Sequence, residues 1–346
     1  MTPKERALNT ILGKPIDHMG LFTGMGCVTM PGLKKLGYKF ATVHTDAERL
    51  ARAAFSTCEM FGMESCVVPF DMAIESEAIG NTISLYEDSE DILYPTIPHK
   101  IWKTMDDLAI PDDVHERGRF PMLFESVKIL KGLTGDQFAA GGWSLGPFTQ
   151  AGQMLELDLI LKGVFREKAK VEKVLDAITD MAIETGRRLK ASGVDFLTLR
   201  EPGVAADLLS PRTFKQLIQP RLTKILEGWG DIPKVLHICG TATPLVEMMM
   251  DCGAHALSFD VKTDLAVARE KMGKIPILGN YEVFYIPCQN PVEDAEKAMQ
   301  ACIDAGVDGV WPGCDLWPDV KEENLQMMRK TVTEYGAKAS PAVGRI

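Results

Sequence analysis

Positive charge is in short supply: 38 Lys and Arg stand against 48 Asp and Glu in 346 residues, a formal net charge of −10. A nucleic-acid binder carries a basic footprint, so no nucleic-acid partner is expected. The same deficit disfavours an anionic membrane surface. Long apolar runs are missing too. None approaches the roughly 18 residues that a spanning helix requires, so no membrane association is expected. The opening stretch, MTPKERALNTILGK, lacks the apolar core and small-residue cleavage site of a signal peptide. It reads instead as a short charged helix with apolar Ala7, Leu8, Ile11 and Leu12. A cytoplasmic location is the expectation. The eight cysteines show no framework of regular spacings, which argues against a disulfide-stapled scaffold; a reducing compartment keeps them as thiols. Gly24-Met25-Gly26 has no following GK[ST] and is too thin for a phosphate loop. Linker-like tracts, repeats and low-complexity segments are also absent, so one domain is expected over 1–346.

What is present is ordinary globular composition, 46% hydrophobic and 25% charged, enough for a sizeable core. From about residue 115 the chain alternates helical pattern with short apolar runs. Val171, Val174, Leu175, Ile178, Met181, Ala182 and Leu189 share one face of a helix that ends at Ala191-Ser192-Gly193. Val194–Leu199 then reads as a buried strand. The unit recurs: Ser210-Pro211 starts a helix with apolar positions through Ile225, and Lys234–Ile238 is the next strand. Thr243–Met250, Leu265–Met272, Val292–Ala305 and Glu322–Tyr335 read as helices. Strands at Ala256–Phe259, Ile275–Leu278 and Gly309–Trp311 stand between them. Such βα units with short connections require parallel strands joined by crossover helices. Their number favours an α/β fold of the (β/α)8, or TIM-barrel, type over an open doubly wound sheet. The N-terminal helix is an extension to it. Gly80–Asp106, weakly alternating and proline-bearing, reads as a hairpin-like excursion.

In such a barrel, reactive residues sit where strands end and βα loops begin. The predicted strand ends supply Asp71, Trp143, Ser144, Arg200, Glu201, His237, Cys239, Asp260, Asn280, Cys314 and Asp315. Leu236-His237-Ile238-Cys239-Gly240 is the sharpest element, because residues i and i+2 of a strand point to the same side, here the barrel mouth. Taken alone, it is more often a core histidine beside a buried cysteine. Trp311-Pro312-Gly313-Cys314-Asp315 ends a later strand and brings a third soft ligand to the same rim. Two thiolates, one imidazole and one open position suit zinc in its catalytic form. Asp260 is a candidate fourth or supporting ligand, with helix capping near Thr263–Asp264 as its alternative role. Arg200-Glu201 either binds a carboxylate or pairs internally. Asp71, Glu75 and Glu77 form either a proton-handling acidic rim or a solvated helix start.

At these residues the sequence resembles the uroporphyrinogen decarboxylase superfamily over essentially its full length. Within it, the chain is similar to the zinc-dependent corrinoid methyltransferases. The matching stretches are Lys4–Lys14 with Pro15, Asp71 to Gly80, Gly142–Phe148, Ser210–Phe214, His237–Gly240, Gly279-Asn280 and Pro312-Gly313-Cys314. Two departures separate the branches. The decarboxylases carry an RQAGR segment that holds substrate carboxylates, whereas Phe22-Thr23-Gly24-Met25-Gly26-Cys27 has neither arginine. They also have histidine where Cys314 stands. Asp71 pulls the other way, since it falls where the decarboxylases keep their catalytic aspartate.

The resemblance implies a zinc enzyme that moves a methyl group between a corrinoid and a small substrate, with a thiol such as coenzyme M as the expected acceptor. His237, Cys239 and Cys314 would be the metal ligands. Asp260 or Glu201 would vacate or support the fourth position, and Asp71 would orient substrate. The corrinoid-binding signature D-x-H-x-x-G is absent, so methylcobalamin is expected on a partner corrinoid protein docked over the barrel mouth. A homodimer is the base-rate expectation. The alternatives are a decarboxylase or lyase acting through Asp71, a demethylase passing methyl groups from ethers or amines to the corrinoid, and a non-enzymatic tetrapyrrole-binding accessory.

Overall fold

The computed structural model describes residues 1–339; residues 340–346, the end of the expected single-domain span, lie outside the described residues. Seven parallel strands form one sheet in chain order: β1 (Ser65–Val68), β4 (Ala139–Leu145), β5 (Phe196–Arg200), β6 (Lys234–Ile238), β7 (Ala256–Phe259), β8 (Ile277–Tyr281) and β9 (Gly309–Pro312). An antiparallel hairpin of β2 (Thr82–Ser84) and β3 (Thr96–His99) leaves the barrel after β1, inside the expected excursion.

The sheet closes through Gly20–Phe22. Phe22 N–H donates to Val310 O (2.9 Å), Val310 N–H to Gly20 O (3.1 Å) and Glu64 N–H to Leu21 O (2.9 Å). Those bonds tie the last strand to the approach of the first. The fold is therefore a (β/α)8-type barrel whose eighth stave is a bridge at Leu21 rather than a regular strand. Gly20 suits this junction because a Cβ there would stand 2.8 Å from Glu64 Cγ.

Most helices follow from local chemistry. Thr2 caps Pro3–Ile11 with a reciprocal capping box to Glu5. The helix Lys168–Ser192 buries Val171, Val174, Leu175, Ile178, Met181, Ala182 and Leu189, the predicted face. Each large aliphatic side chain so buried contributes about 1.5–3 kcal/mol. Gly193, at φ 114°, ends that helix in the left-handed region.

Some boundaries differ from expectation. β5 begins at Phe196, not Val194, because Gly193 and Val194 complete the helix end and Asp195 Oδ2 accepts the Ala140 N–H (3.0 Å). β8 runs Ile277–Tyr281, starting two and ending three residues later than its apolar run suggested. Thr243–Met250 divides into a 3-10 turn (Thr243–Leu245) and one α-helical segment (Val246–Met250). The helix begun by Ser210, whose Oγ accepts Thr213 N–H (3.2 Å), passes through a π-helical turn at Phe214–Ile218 before resuming at Gln219–Gly228.

Two apolar regions result. The larger lies between sheet and helices. The smaller fills the barrel lumen with Phe22, Val67, Ala139, Phe196, Val235 and Trp311 among others. No described helix is long and apolar enough to cross a membrane.

Candidate active site

Polarity rises along the lumen-facing positions towards the strand ends. β5 presents Phe196, Thr198 and Arg200; β6 presents Val235 and His237, with Cys239 next; β7 presents Ala256 and Ser258, with Asp260 next. Period-2 alternation puts each trio on one side of its strand. An apolar floor thus carries a polar mouth. The ladder then sets neighbours across strands: His237 is in register with Arg200 on β5 and with Ser258 on β7.

His237, Cys239 and Cys314 converge there. His237 Nε2 lies 2.8 Å from Cys239 Sγ, and Cys239 Sγ lies 3.5 Å from Cys314 Sγ. Gly240, at φ 76°, turns the chain directly after Cys239, as the strand-end bend required. His237 is fully buried, and its Nδ1 bonds Ser258 Oγ at 2.9 Å. If Nδ1 carries the hydrogen, Nε2 keeps its lone pair turned towards the sulfurs. Burial and then the positive charge of Arg200 hold the imidazole pKa well below its usual value, so the ring is neutral. The two thiols share a hydrogen bond, which raises Cys239 and lowers Cys314.

The donor set fits a zinc ion. Two sulfurs at about 2.3 Å from a tetrahedral ion stand roughly 3.7 Å apart, close to the 3.5 Å between Cys239 and Cys314. The 2.8 Å between His237 and Cys239 is tighter than the roughly 3.5 Å that a shared tetrahedral ion imposes, so the ring must swing outward slightly. Among the described residues no group of three or more His, Cys, Asp or Glu side chains stands ready to hold a metal ion as placed.

The other predicted residues take distinct places. Glu201 is buried and faces the start of the helix Pro147–Met154: it accepts Phe148 N–H (3.0 Å), Thr149 N–H (2.8 Å) and the Thr149 hydroxyl. Burial pushes its carboxyl up to about 7 despite these bonds. Asp260 Oδ1 accepts Lys262 N–H (3.0 Å), while the cap of the helix Leu265–Met272 is Asp264. Asp71 is buried in a polar knot. Its Oδ2 takes hydrogen bonds from His44 Nδ1 and Arg119 Nη1, both 2.9 Å, and its Oδ1 takes one from Arg119 Nη2 at 3.2 Å. Burial alone would raise this carboxyl, but His44 and the Arg119 charge outweigh it and hold it well below the usual range. Glu75, buried nearby, is pushed up to about 7 by burial. Glu77 pairs with Arg119 Nε at 2.6 Å.

Asp71 and Asp315 both line a cavity of ≈ 510 Å³ at the mouth, walled by Phe70, Tyr94 and Trp317. Asp315 adjoins Cys314 in the chain and accepts Arg200 Nη2 at 2.6 Å, while the Arg200 guanidinium lies 4.5 Å from the Trp143 ring. Sequence reasoning did not find Ser258, His44 or Arg119. Ser258 carried one usable signal, its place between Ala256 and Asp260 on the strand after β6.

This barrel, with its thiol-rich mouth, belongs to the uroporphyrinogen decarboxylase family, which residues 2–335 match. Among its relatives is a methylcobamide:CoM methyltransferase of Methanosarcina barkeri, 28% identical over 340 residues, covering 97% of this chain and 99% of the relative. A uroporphyrinogen decarboxylase of Thermus thermophilus is 21% identical over 310 residues, covering 87% and 88%. In three dimensions a methyltransferase from Methanosarcina mazei is similar at a TM-score of 0.90 and 25% identity, covering 97% of this chain and 99% of that one.

Proposed function

We propose that this chain, acting as a single barrel domain, is a zinc-dependent methyltransferase that moves a methyl group from a corrinoid on a partner protein to a small thiol. The observation that carries this reading is the meeting of His237 Nε2 with the Cys239 and Cys314 thiols at the mouth. The methylcobamide:CoM methyltransferase relative, alike over nearly both whole chains, supports the reaction class.

Zinc bound to two thiolates and a neutral imidazole supplies a Lewis acid that favours the ionised form of a substrate thiol near neutral pH. The protein does the rest. Ser258 holds the His237 ring in orientation, and burial keeps that ring neutral. Asp260, two residues beyond Ser258 along the chain, would support the remaining position. Asp71, held ionised by His44 and Arg119, lines the cavity through which substrate reaches the mouth. Phe70, Tyr94 and Trp317 give that cavity an apolar wall. Glu201 contributes by fixing the Pro147–Met154 helix beside the site.

The corrinoid carrier would dock over this face. Met72, Leu208, Val261, Tyr285 and Trp317 are exposed apolar residues, and each lies in a segment following a barrel strand. A rim of such side chains around one opening is what a docking surface requires. The eight free cysteines suit the reducing cytoplasm, and a homodimer is the base-rate assembly.

The test is demethylation of methylcobalamin by purified enzyme against a panel of thiols and tetrahydrofolate. Turnover with a thiol is expected. Turnover with no acceptor, or loss of carboxylate from a carboxylated substrate instead, would refute the reading.

A further inference from the structure

The cavity at the barrel mouth holds ≈ 510 Å³, far more than a small thiol fills. It falls within the roughly 300–1,000 Å³ that encloses a drug-sized ligand. Its walls come from the loop after β1, the hairpin of β2 and β3, the helix Pro147–Met154 and the loop after β9. An aromatic row crosses one side. Between ring centroids, Tyr94 lies 6.3 Å from Trp317, Trp317 5.8 Å from Phe284, and Phe284 5.1 Å from Tyr285. Trp317 and Tyr285 are 37% and 58% exposed, so the row runs from the cavity wall out to the rim.

The polar groups on the same walls are of mixed kind. Lys100 Nζ donates to Gly152 O and Leu155 O, both at 2.8 Å, which leaves one of an ammonium's three N–H donors free. Asp315 Oδ2 accepts from Arg200 while its side chain stays 32% exposed, which leaves Oδ1 as an acceptor. The Gln153 side-chain amide and the Tyr94 hydroxyl line the cavity without a partner among the described residues. One opening therefore presents an aromatic ledge, a free cationic donor and a free anionic acceptor. A primary amide answers both, donating N–H to the carboxylate and accepting from the ammonium. A carboxylate answers Lys100 alone and is set against Asp315 and Asp71, while an apolar edge leaves both unanswered.

Resting on the corrinoid methyltransferase reading, we infer that this cavity is a subsite for one edge of the corrin. The aromatic row takes the apolar rim of the macrocycle, and Lys100, Gln153 and Asp315 take its amide side chains. The barrel thus selects its methyl donor by the amide fringe as well as by the cobalt–methyl bond.

The experiment reads binding first and turnover second. Methylcobalamin is titrated calorimetrically, without thiol, into the purified enzyme and its Gln153→Leu and Tyr94→Phe variants. Each variant removes a polar group that holds nothing else in place, so the fold persists. The three methylcobalamin monocarboxylic acids, in which a single propionamide is hydrolysed, are titrated into wild type. Wild type should bind methylcobalamin, with affinity about 2- to 10-fold lower in each variant, the scale of one hydrogen bond. At least one of the three acids, the one altered at the seated edge, should bind wild type more weakly by a similar factor. Equal affinity for methylcobalamin and all three acids overturns the inference, as does unchanged methylcobalamin affinity in both variants. No measurable binding of methylcobalamin to wild type overturns it too. Demethylation with coenzyme M in the same preparations separates the two readings. Methyl transfer at equal kcat/KM from all four corrinoids overturns the subsite and leaves the reading of function intact. Amide-dependent binding without any methyl transfer upholds the subsite and refutes that reading.

Discussion

His237 on β6 and Ser258 on β7 face each other in ladder register, and their side chains bond at 2.9 Å between Nδ1 and Oγ. A serine one strand away thereby fixes which imidazole nitrogen is turned to the thiols. Partners of this kind fix the tautomer and orientation of a metal-binding imidazole and so support its affinity.

Ser258→Ala should therefore weaken zinc binding by about 10- to 100-fold while the fold persists. Competition with a chromophoric chelator measures the affinity. An unchanged dissociation constant would mean that the hydrogen bond does not support metal binding.

Asp71 answers two buried groups at once, Arg119 and His44. Asp71→Ala leaves Glu77 as the remaining carboxylate on Arg119 and removes the acceptor of His44, so it should cost up to about 3 kcal/mol, the lower end of the loss when one partner of a buried pair is removed. Urea unfolding gives the number. A loss below 1 kcal/mol would show that water reaches the knot.

Glu75 is a carboxyl raised by burial to about 7 from an ordinary 4.5. Its folded pKa lies above its unfolded one, so the stability it contributes is present below pH 4.5 and is lost as pH rises through about 7. The loss is up to about 3 kcal/mol, from 1.36 kcal/mol per pKa unit. Glu75→Gln should flatten the decline between pH 5 and 8 in thermal or denaturant melts. Asp71 has the opposite sign. Its stabilisation is present above pH 4 and lost in acid, so the two groups together favour mildly acidic conditions.

Tyr285 and Leu208 stand on the exposed rim, away from the cavity lining. Tyr285→Ala and Leu208→Ala should raise KM for the methylated corrinoid protein by several-fold to about 10-fold, the scale of an interface contact. Rates with free methylcobalamin should stay within experimental error of wild type. Equal effects on both donors would remove the rim from the docking face.

Much of this architecture was legible in the chain because its signals were local. β6, β7 and the helix Leu265–Met272 occupy their predicted spans, each a short apolar run or periodic face between clear breakers. The thiol and imidazole trio was legible because strand period and strand ends dictate where side chains point. Barrel closure at Gly20–Phe22 was not, since three residues held by bonds to Val310 and Glu64 carry no periodic pattern. Nor was the Asp71 knot: Arg119 lies 48 residues from Asp71 along the chain, and only the folded barrel joins them. Glu201 shows a further limit. Its strand-end position matched a catalytic carboxylate, but its side chain meets the Pro147–Met154 helix start, a direction no sequence pattern specified.

Zinc content measured by elemental analysis on wild type and Cys314→Ala, alongside methylcobalamin demethylation with a thiol acceptor, tests the metal site most directly. One zinc per chain in wild type is expected, with metal and methyl transfer both lost in the variant. A wild type without stoichiometric zinc, or a Cys314→Ala protein that keeps its metal and its activity, would contradict it.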